Sequence, residues 1–286
     1  MAISTARLRG QAVRRVSGVG DGLAQLGGWV VFTVRVAEGT VFDVLGRLRF
    51  SRVVVRETAN IVAGSGVIAV GAGMVFVIGI ISLSVGAEVG LQAFKGLQVI
   101  GAQSFTGLVG SFVNVREIAP IIYAIALAAQ VGAGFTAELG AMRISEEIDA
   151  LEVMGVPSIT YLVCTRVVAM VVTFLPLYLI GLFGTFFATR LITVRLDGLS
   201  PGIYDHYFHL YLPPADILFS VIKVFVFTIL ITLIHCYYGY NASGGPAGVG
   251  VAVGRAIRVT IVVIVIVNLL LSFLFWGHGS TVSITG

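Results

Sequence analysis

Charged side chains are scarce in this sequence. Lysine, arginine, aspartate and glutamate make up only 11% of its 286 residues, whereas an average soluble domain carries roughly 25%. Hydrophobic residues account for 57%, and the mean hydropathy is +1.02. Apolar runs of the length seen here need a bilayer rather than water around them. The composition therefore excludes an ordinary soluble domain and predicts an integral membrane protein.

Cysteines are few, and nucleotide-binding and catalytic patterns are missing. Cys164 and Cys236 lie in separate apolar segments, so we expect two small buried side chains rather than a disulfide. The glycine-rich loop Asn241–Arg255 lacks a Gly-Lys-Ser/Thr ending and follows an apolar run, which favours a turn over a P-loop. No spacing indicates a nucleophile beside its base, so we expect a chain that is not an enzyme and binds no cofactor.

Neither a metal site nor a nucleic-acid surface is predicted. His206 and His209 have a spacing that could share a metal, with Asp205 beside them, but their aromatic neighbours are typical of a membrane interface. The formal net charge is +4. Its basic residues crowd near the N-terminus without interleaved aromatic residues, a pattern that sets membrane orientation rather than nucleic-acid binding.

Five apolar runs are long enough to cross a bilayer as helices, because about 20 helical residues span a ~30 Å hydrocarbon core. These runs are Ile61–Leu83, Ile118–Ala137, Val167–Thr189, Ile217–Tyr238 and Val259–Trp276. Pro176 lies within the third run and predicts a kink. The expected fold is an all-α integral membrane protein, with one membrane domain over residues 57–286 and a cytoplasmic N-terminal region over residues 1–56.

The segment Trp29–Phe50 is apolar in bulk but is interrupted by five charged residues. This pattern favours an amphipathic helix at the membrane interface, with a sixth span as the alternative. Nine arginines precede the first predicted span, so the N-terminus should be cytoplasmic and the C-terminus, after five crossings, extracytoplasmic.

The acidic stretch Glu138–Ile159, ELGAMRISEEIDALEVMGVPSI, lies between the second and third predicted spans, on the cytoplasmic side. Ser145 is a suitable N-cap, and Gly155 with the following Pro157 supplies a stop. The acids of the first turn, which suit the positive end of a helix dipole, are Glu146, Glu147 and Asp149. A short helix is predicted over Glu146–Met154.

This short helix needs a packing partner, because about two turns of helix are not stable alone in water. Ile148, Leu151 and Glu152 share one side, and Ile144 and Met154 extend the apolar stripe. Either the stripe packs on the membrane ends of the chain itself, or the helix docks into a cytoplasmic partner.

The stretch ELGAMRISEEIDALEVMGV closely resembles the signature of the MlaE/YrbE permeases, the membrane subunits of MCE-type lipid-transporting ABC systems. NVREIAPII, IKVFVF and YYGYNASGGPAGVG are also similar to family patterns, and the resemblance extends from about Arg52 to Trp276. Two positions depart from the common pattern: Gln130 stands where many members carry arginine, and Glu147 where many carry glutamine. The overall style is most similar to an actinobacterial YrbE.

The resemblance implies that the acidic segment is a coupling helix that docks into a cytosolic ATPase. The residues that inherit this role are Glu146, Glu147, Asp149, Leu151, Glu152, Met154 and Gly155. It also implies an ABC ATPase dimer that hydrolyses ATP, a second permease encoded as a different paralogue, MCE-domain proteins outside the plasma membrane and a lipid cargo. A fatty or mycolic acid is the first expectation for that cargo, followed by a sterol or phospholipid.

Arg116, Glu117 and Lys223 fall in or beside apolar runs, where each charge costs roughly 2.5 to 3.5 kcal/mol near the bilayer centre. Adjacent residues of a helix point in different directions, so Arg116 and Glu117 need other partners, and Lys223 could pair with Glu117. The alternative is that all three side chains reach the outer interface. The resemblance implies that they line a lipid cavity between two permease subunits.

Two functions of other classes stay open at this stage. An ion-gradient-driven transporter or channel would work through Glu117 and Lys223 without an ATPase. A non-transporting scaffold would tolerate replacement of the charges within the membrane. The short acidic helix and the missing P-loop favour the ABC permease over both.

Overall fold

The computed structural model describes residues 27–46, 50–63 and 73–277, and the regular secondary structure in these ranges is helical throughout. This confirms the predicted all-α fold class. In chain order the helices are α1 (27–46), α2 (Ser51–Ala63), α3 (Met74–Gln98), α4 (Gln103–Ile144), α5 (Glu147–Val153), α6 (Ile159–Arg195), α7 (Pro201–Leu210), α8 (Pro214–Tyr240) and α9 (Gly245–Trp276).

Five of these helices, α3, α4, α6, α8 and α9, are long and apolar enough to cross a membrane. The predicted number of spans is therefore confirmed for the described part of the chain. Pro176 lies inside α6, which stays helical on both sides of it. Cys164 lies near the start of α6 and Cys236 near the end of α8. Both are buried and have free thiols, as expected.

The first span does not follow the predicted boundaries Ile61–Leu83. Ile61 belongs to α2, and Gly73, with φ −55° and ψ 176°, is an extended residue directly before α3; residues 64–72 lie outside the described ranges. At its other end α3 continues past Glu88, whose carboxylate accepts a hydrogen bond of 2.8 Å from Gln92. A hydropathy window ends at such a charge, whereas a helix continues when the charge has a partner one turn away.

The second span begins earlier than the predicted Ile118. Helix α4 begins at Gln103 and contains two π-helical turns, Asn114–Ile118 and Ala128–Gly132. Arg116 and Glu117 are therefore inside a spanning helix rather than at its edge. Single π-helical turns within α-helices are frequent at functional sites. The first of these two turns, Asn114–Ile118, contains both Arg116 and Glu117.

Helices α3 and α6 approach each other closely along a stripe with a four-residue period. On α3 the stripe contains Ser82, Gly86 and Gly90, all buried. A Cβ atom at Gly86 would lie 2.5 Å from the carbonyl oxygen of Thr185, and Thr189 Oγ1 donates a 2.8 Å hydrogen bond to the Gly86 carbonyl. Small residues at this spacing allow backbone contact between membrane helices, where lipid offers no hydrophobic drive for association.

Helix α1 packs at the end of α8 near Tyr240. The Trp29 ring stacks on Tyr237 with 4.0 Å between ring centroids, and Phe32 and Val36 are buried in the core. Arg47 and Arg49, in the predicted Trp29–Phe50 helix, lie outside the described residues. The interfacial position of this helix stays a prediction, while its packing places it at the same end of α8 as α5.

Candidate functional site

The charges predicted within the membrane are brought together by α4, α8 and α9, near the end of the bundle opposite α5. Arg116 Nε donates a hydrogen bond of 2.7 Å to Asp216 Oδ2, in the first turn of α8. The Arg116 side chain is 10% exposed and the Asp216 side chain 1%. This is a buried ion pair between two spanning helices.

Glu117 and Lys223 form a second pair beside the first. Lys223 Nζ donates to Glu117 Oε1 at 3.2 Å, to the Arg116 carbonyl at 2.7 Å and to Ser272 Oγ of α9 at 2.7 Å. Glu117 also accepts hydrogen bonds from Ser272 at 2.6 Å and from Asn268 at 2.7 Å. Three contacts of Lys223 match the three hydrogens of an ammonium group.

The two pairs are balanced, with two cations and two anions, which reduces the cost of burying them. Lys223 is fully buried and Arg116 nearly so, so they do not reach out to the interface; the Glu117 side chain is 38% exposed. The structure thus brings together all three predicted residues and confirms the proposed Lys223–Glu117 pairing. All three side chains are bound to other groups of the protein, and Glu117 is the most exposed of the three.

Aromatic rings cover the Arg116–Asp216 pair. The Arg116 guanidinium carbon lies 3.6 Å from the centre of the Phe112 ring and 4.9 Å from that of Trp276, within the range of cation–π attraction. The Trp276 indole N–H donates to Asp216 Oδ1 at 2.9 Å. This contact connects the last residue of α9 to the first turn of α8.

Four residues of this network were not singled out from the sequence. Together with Arg116, Glu117 and Lys223 they form what we call the charge network. They are Asp216, Asn268, Ser272 and Trp276. A signal existed for Asp216, because it follows Pro213 and Pro214 directly before an apolar run, where a helix begins. Asn268 and Ser272, one turn apart on α9, were visible only as isolated polar residues in a run otherwise rich in valine and leucine.

The short acidic helix is present between α4 and α6, but its boundaries differ slightly from the prediction. Helix α5 is Glu147–Val153, and Glu146 is its N-terminal flanking residue in the left-handed conformation, with φ 61°. The predicted cap, Ser145, instead donates to the Ala141 carbonyl of α4 at 3.0 Å. Its hydroxyl also lies 3.0 Å from the Glu147 carboxylate of α5.

The predicted stop at the end of α5 is confirmed. Gly155 has φ +74°, its N–H donates to the Glu152 carbonyl at 2.9 Å, and the Val156 N–H donates to the Leu151 carbonyl at 2.9 Å. These two bonds form a Schellman motif, in which a left-handed glycine satisfies the last carbonyls of a helix.

The two faces of α5 differ from the predicted stripe. Ile148 is fully buried and Leu151 is half-buried, both against the protein itself. This agrees with the alternative in which the apolar stripe packs on the chain's own helices. Met154 was expected on the same side, but it is 68% exposed, and Val153 beside it is 89% exposed. The turn that follows Val153 directs Met154 away from the stripe. Helix α5 thus packs against its own chain through Ile148 and Leu151, while Val153 and the adjacent Met154 form an exposed apolar surface.

Polar contacts fix α5 to both neighbouring spans. Asp149 Oδ1 accepts a 2.6 Å bond from Arg143 at the end of α4. Glu152 Oε1 accepts bonds from Ser158 Oγ at 2.6 Å and from Tyr240 Oη, the last residue of α8, at 3.3 Å. Displacement of α5 would therefore pull on α4 and α8, two of the three helices that hold the intramembrane charges.

A second ion pair near α5 was not singled out from the sequence. Arg166 of α6 donates to Glu138 of α4 at 2.9 Å, and its side chain is 6% exposed. The signal was a lone arginine in the apolar stretch TYLVCTRVVAM. Glu138 also lines a small polar cavity of about 190 Å³ together with Glu57, Asn60 and Gln130, which places the atypical Gln130 at this end of the bundle.

Comparison with known proteins agrees with this architecture. The family "Permease MlaE" matches residues 63–274. A probable ABC transporter permease protein of Rickettsia prowazekii is 32% identical over 191 residues, which are 66% of this chain and 73% of that protein. A probable ABC transporter permease protein of Synechocystis is 32% identical over 69% of this chain and 75% of its own length.

A plant protein is also similar: the chloroplastic protein Trigalactosyldiacylglycerol 1 of Arabidopsis thaliana is 32% identical over 203 residues, 70% of this chain and 58% of the plant protein. The matched residues include the spans α3, α4, α6 and α8, the acidic helix α5 and nearly all of α9. This five-span protein, with its short acidic helix between the second and third spans, belongs to the MlaE permease family.

Proposed function

We propose that this chain is the membrane subunit of an ATP-driven lipid transporter, in which a separate cytosolic ATPase hydrolyses ATP. Helix α5 carries this proposal. It is anchored by Ile148 and by hydrogen bonds to α4 and α8, and it presents Val153, Met154 and the acids Glu146 and Glu147 outward. An exposed apolar surface with charged neighbours is typical of a docking site for another protein.

The mechanism follows from the contacts of α5. A partner that pushes on Val153 and Met154 would move Glu152, and through Tyr240 it would displace α8. Since Lys223 lies on α8 and Glu117 on α4, relative movement of these helices would open or close the region beside the charge network. Such coupling requires that the ATPase bind two arrangements of the helices with different affinity.

The lipid would bind beside Glu117, the most exposed of the four charged residues in the charge network. Exposed side chains of α9 near it, including Leu269 at 69% and Phe273 at 65%, offer an apolar surface for acyl chains. A second permease of the same family, which we propose to be a different paralogue as in actinobacterial YrbE pairs, would cover this face. Arg116, Glu117 and Lys223 would then form the polar part of a cavity between the two subunits.

We further propose that the complex hands lipid between the plasma membrane and MCE-domain proteins outside it, with the N-terminus of this chain in the cytoplasm. The name of the Arabidopsis relative contains a glycolipid, which supports lipid as the cargo class. A fatty or mycolic acid is the proposed cargo, with sterol or phospholipid as alternatives that the test below distinguishes.

The test is purification of the tagged full-length chain from its native membrane, followed by identification of bound proteins and lipids by mass spectrometry. We expect a co-purified ABC ATPase and ATP-dependent lipid movement after reconstitution into liposomes. Transport by the chain alone, driven by an ion gradient without ATP, would instead support a secondary transporter.

A matched pair of variants links the result to α5. Val153→Asp should abolish ATPase co-purification, because it places a charge at an apolar contact. Val99→Asp is the control: Val99 is 85% exposed, similar to Val153 at 89%, but it follows α3 at the opposite end of the bundle. The assignment of α5 would be contradicted if both variants lost the co-purified ATPase to the same extent, or if neither lost it.

A further inference from the structure

A crevice of about 370 Å³ lies between α6 and α7, at the end of the bundle opposite α5. This volume is within the range of roughly 300–1,000 Å³ typical of ligand pockets. The crevice is formed by other helices than the charge network, which lies on α4, α8 and α9.

The floor of the crevice is made of aromatic rings that hold one another in place. Phe186 of α6 meets Phe208 of α7 edge to face, with 5.0 Å between ring centroids. Tyr204 stacks on Phe208 at 5.9 Å and is fully buried. Because these rings are fixed by contacts between the two helices, the crevice is largely preformed, as ligand sites usually are.

One wall continues as an apolar surface along α6. Phe183 is 65% exposed and Phe187 61%. These residues are one turn apart and share a face with Arg190, about one turn further on. Phe183 lies roughly 10 Å deeper in the bilayer than Arg190, at 1.5 Å per residue of a spanning helix. The surface therefore runs from the membrane interface toward the hydrocarbon core.

The opening of the crevice carries charges of both signs. Arg190 donates two hydrogen bonds to Asp205 of α7, at 2.7 and 2.8 Å. These bonds hold the pKa of the Asp205 carboxyl below its ordinary value, so the group stays ionised. His209 lies one turn after Asp205 and lines the same crevice. The Arg190 and Asp205 side chains remain 49% and 39% exposed.

These charges leave binding capacity for a ligand that is itself zwitterionic. A guanidinium has five N–H donors, of which Asp205 takes two, and a carboxylate has about four acceptor positions. A phosphate could accept further bonds from Arg190, while an ammonium group could donate to Asp205. An anion without an ammonium group would face Asp205 with no compensation.

We infer that this crevice binds a zwitterionic phospholipid of the surrounding bilayer, with its phosphate at Arg190, its ammonium group at Asp205 and an acyl chain along Phe187 and Phe183. The lipid is a resident of the outward surface of α6 rather than the transported molecule. The inference depends on α6 crossing the bilayer and not on the proposed function.

The test uses the full-length chain in nanodiscs of phosphatidylglycerol, which has no ammonium group. A small fraction of phosphatidylethanolamine with a diazirine in one acyl chain serves as the probe. After irradiation we expect the label on the α6 peptide that contains Phe183 and Phe187, well above its level on the α3 peptide that contains Phe76. Phe76 is 58% exposed and reports ordinary contact with the bilayer.

Excess unlabelled phosphatidylethanolamine should compete with the probe, whereas further phosphatidylglycerol should not. Arg190→Gln should weaken binding at least tenfold, because glutamine lacks the positive charge that strengthens hydrogen bonds to a phosphate. The control Phe76→Ala should leave labelling of α6 unchanged.

Equal labelling of the α6 and α3 peptides would reduce the site to ordinary bilayer contact and overturn the inference. Equal competition by phosphatidylglycerol would overturn the zwitterionic assignment. If Arg190→Gln does not fold, the labelling and competition measurements on the unaltered chain decide the matter by themselves.

Discussion

Arg116 and Asp216 form an ion pair in the interior of the helical bundle, with 2.7 Å between Nε and Oδ2. With exposures of 10% and 1%, water cannot hydrate either group well if its partner is removed. Asp216→Ala should therefore destabilise the protein by about 3–5 kcal/mol, the cost of leaving a buried charge without its partner. The measurement is the apparent melting temperature of the purified chain in detergent.

The control for this variant is Asp205→Ala. It breaks another aspartate–arginine pair of the same bond length, but one whose side chains are 39% and 49% exposed. Exposed pairs contribute only about 0–1 kcal/mol. The double variant Arg116→Met with Asp216→Leu should recover much of the lost stability, because apolar residues of similar volume often replace a buried pair without loss. Similar melting temperatures for Asp216→Ala and Asp205→Ala would refute the argument from burial.

Lys223→Met should reduce lipid transport without releasing the ATPase. Lys223 donates to three acceptors on α4 and α9, and its removal leaves Glu117 without its nearby cation. The loss should be roughly tenfold or more, since each hydrogen bond to a charged group contributes about 1.5–3 kcal/mol. The readouts are ATP-driven lipid transfer in liposomes and ATPase co-purification.

Lys95→Met is the control for Lys223→Met. Lys95 is an exposed lysine near the end of α3. The Lys95→Met variant should transport lipid at the unaltered rate, because the Lys95 side chain is exposed to solvent and its removal breaks no buried contact. Normal transport by Lys223→Met would show that the charge network only stabilises the bundle.

Tyr240→Phe should weaken the connection between ATP hydrolysis and lipid movement. Tyr240 Oη contacts Glu152 at 3.3 Å and Ser158 at 2.8 Å, so its hydroxyl connects α8 to α5 and to the start of α6. We expect ATPase activity to be retained while the amount of lipid moved per ATP falls. The control is Tyr238→Phe, on the same turn of α8 but with its ring against Trp29. An unchanged ratio of lipid to ATP in Tyr240→Phe would exclude this route.

The sequence predicted those parts of the molecule that depend on apolar length and on local helix signals. The five spans follow from hydropathy, and the stop of α5 from Gly155, whose left-handed conformation requires little more than its own sequence. The start of α5 was less predictable. Ser145 has the right side chain for a cap, but its hydroxyl bonds to the preceding turn of α4, a choice that depends on how closely two helices follow one another.

The charge network could be predicted only in part. Arg116, Glu117 and Lys223 stood out because a charge in an apolar run needs a partner. Which partner each one finds depends on the packing of α4, α8 and α9, over separations of 100 residues and more for pairs such as Arg116 and Asp216. Local patterns in a single sequence contain no information on such pairings. The same limit applies to the first span, because α3 begins at Met74, well inside the run that hydropathy predicts.

Gly86→Ala should be among the most damaging single-methyl changes in the chain. The added Cβ would lie 2.5 Å from the Thr185 carbonyl oxygen and 2.7 Å from its Cα, both backbone atoms of α6 that cannot rotate away. The two helices would have to separate, which also lengthens the bond from Thr189 to the Gly86 carbonyl. We expect the free energy of unfolding to fall by about 1–3 kcal/mol, as for overpacked cores.

Gly79→Ala on the same helix is the matched control, because a Cβ there meets no atom within 4 Å. That variant should be neutral or gain up to about 1 kcal/mol from the better helix propensity of alanine. Melting temperatures of the two variants in detergent measure the difference, and a Gly86→Ala protein as stable as Gly79→Ala would mean that α3 and α6 do not pack as closely as described.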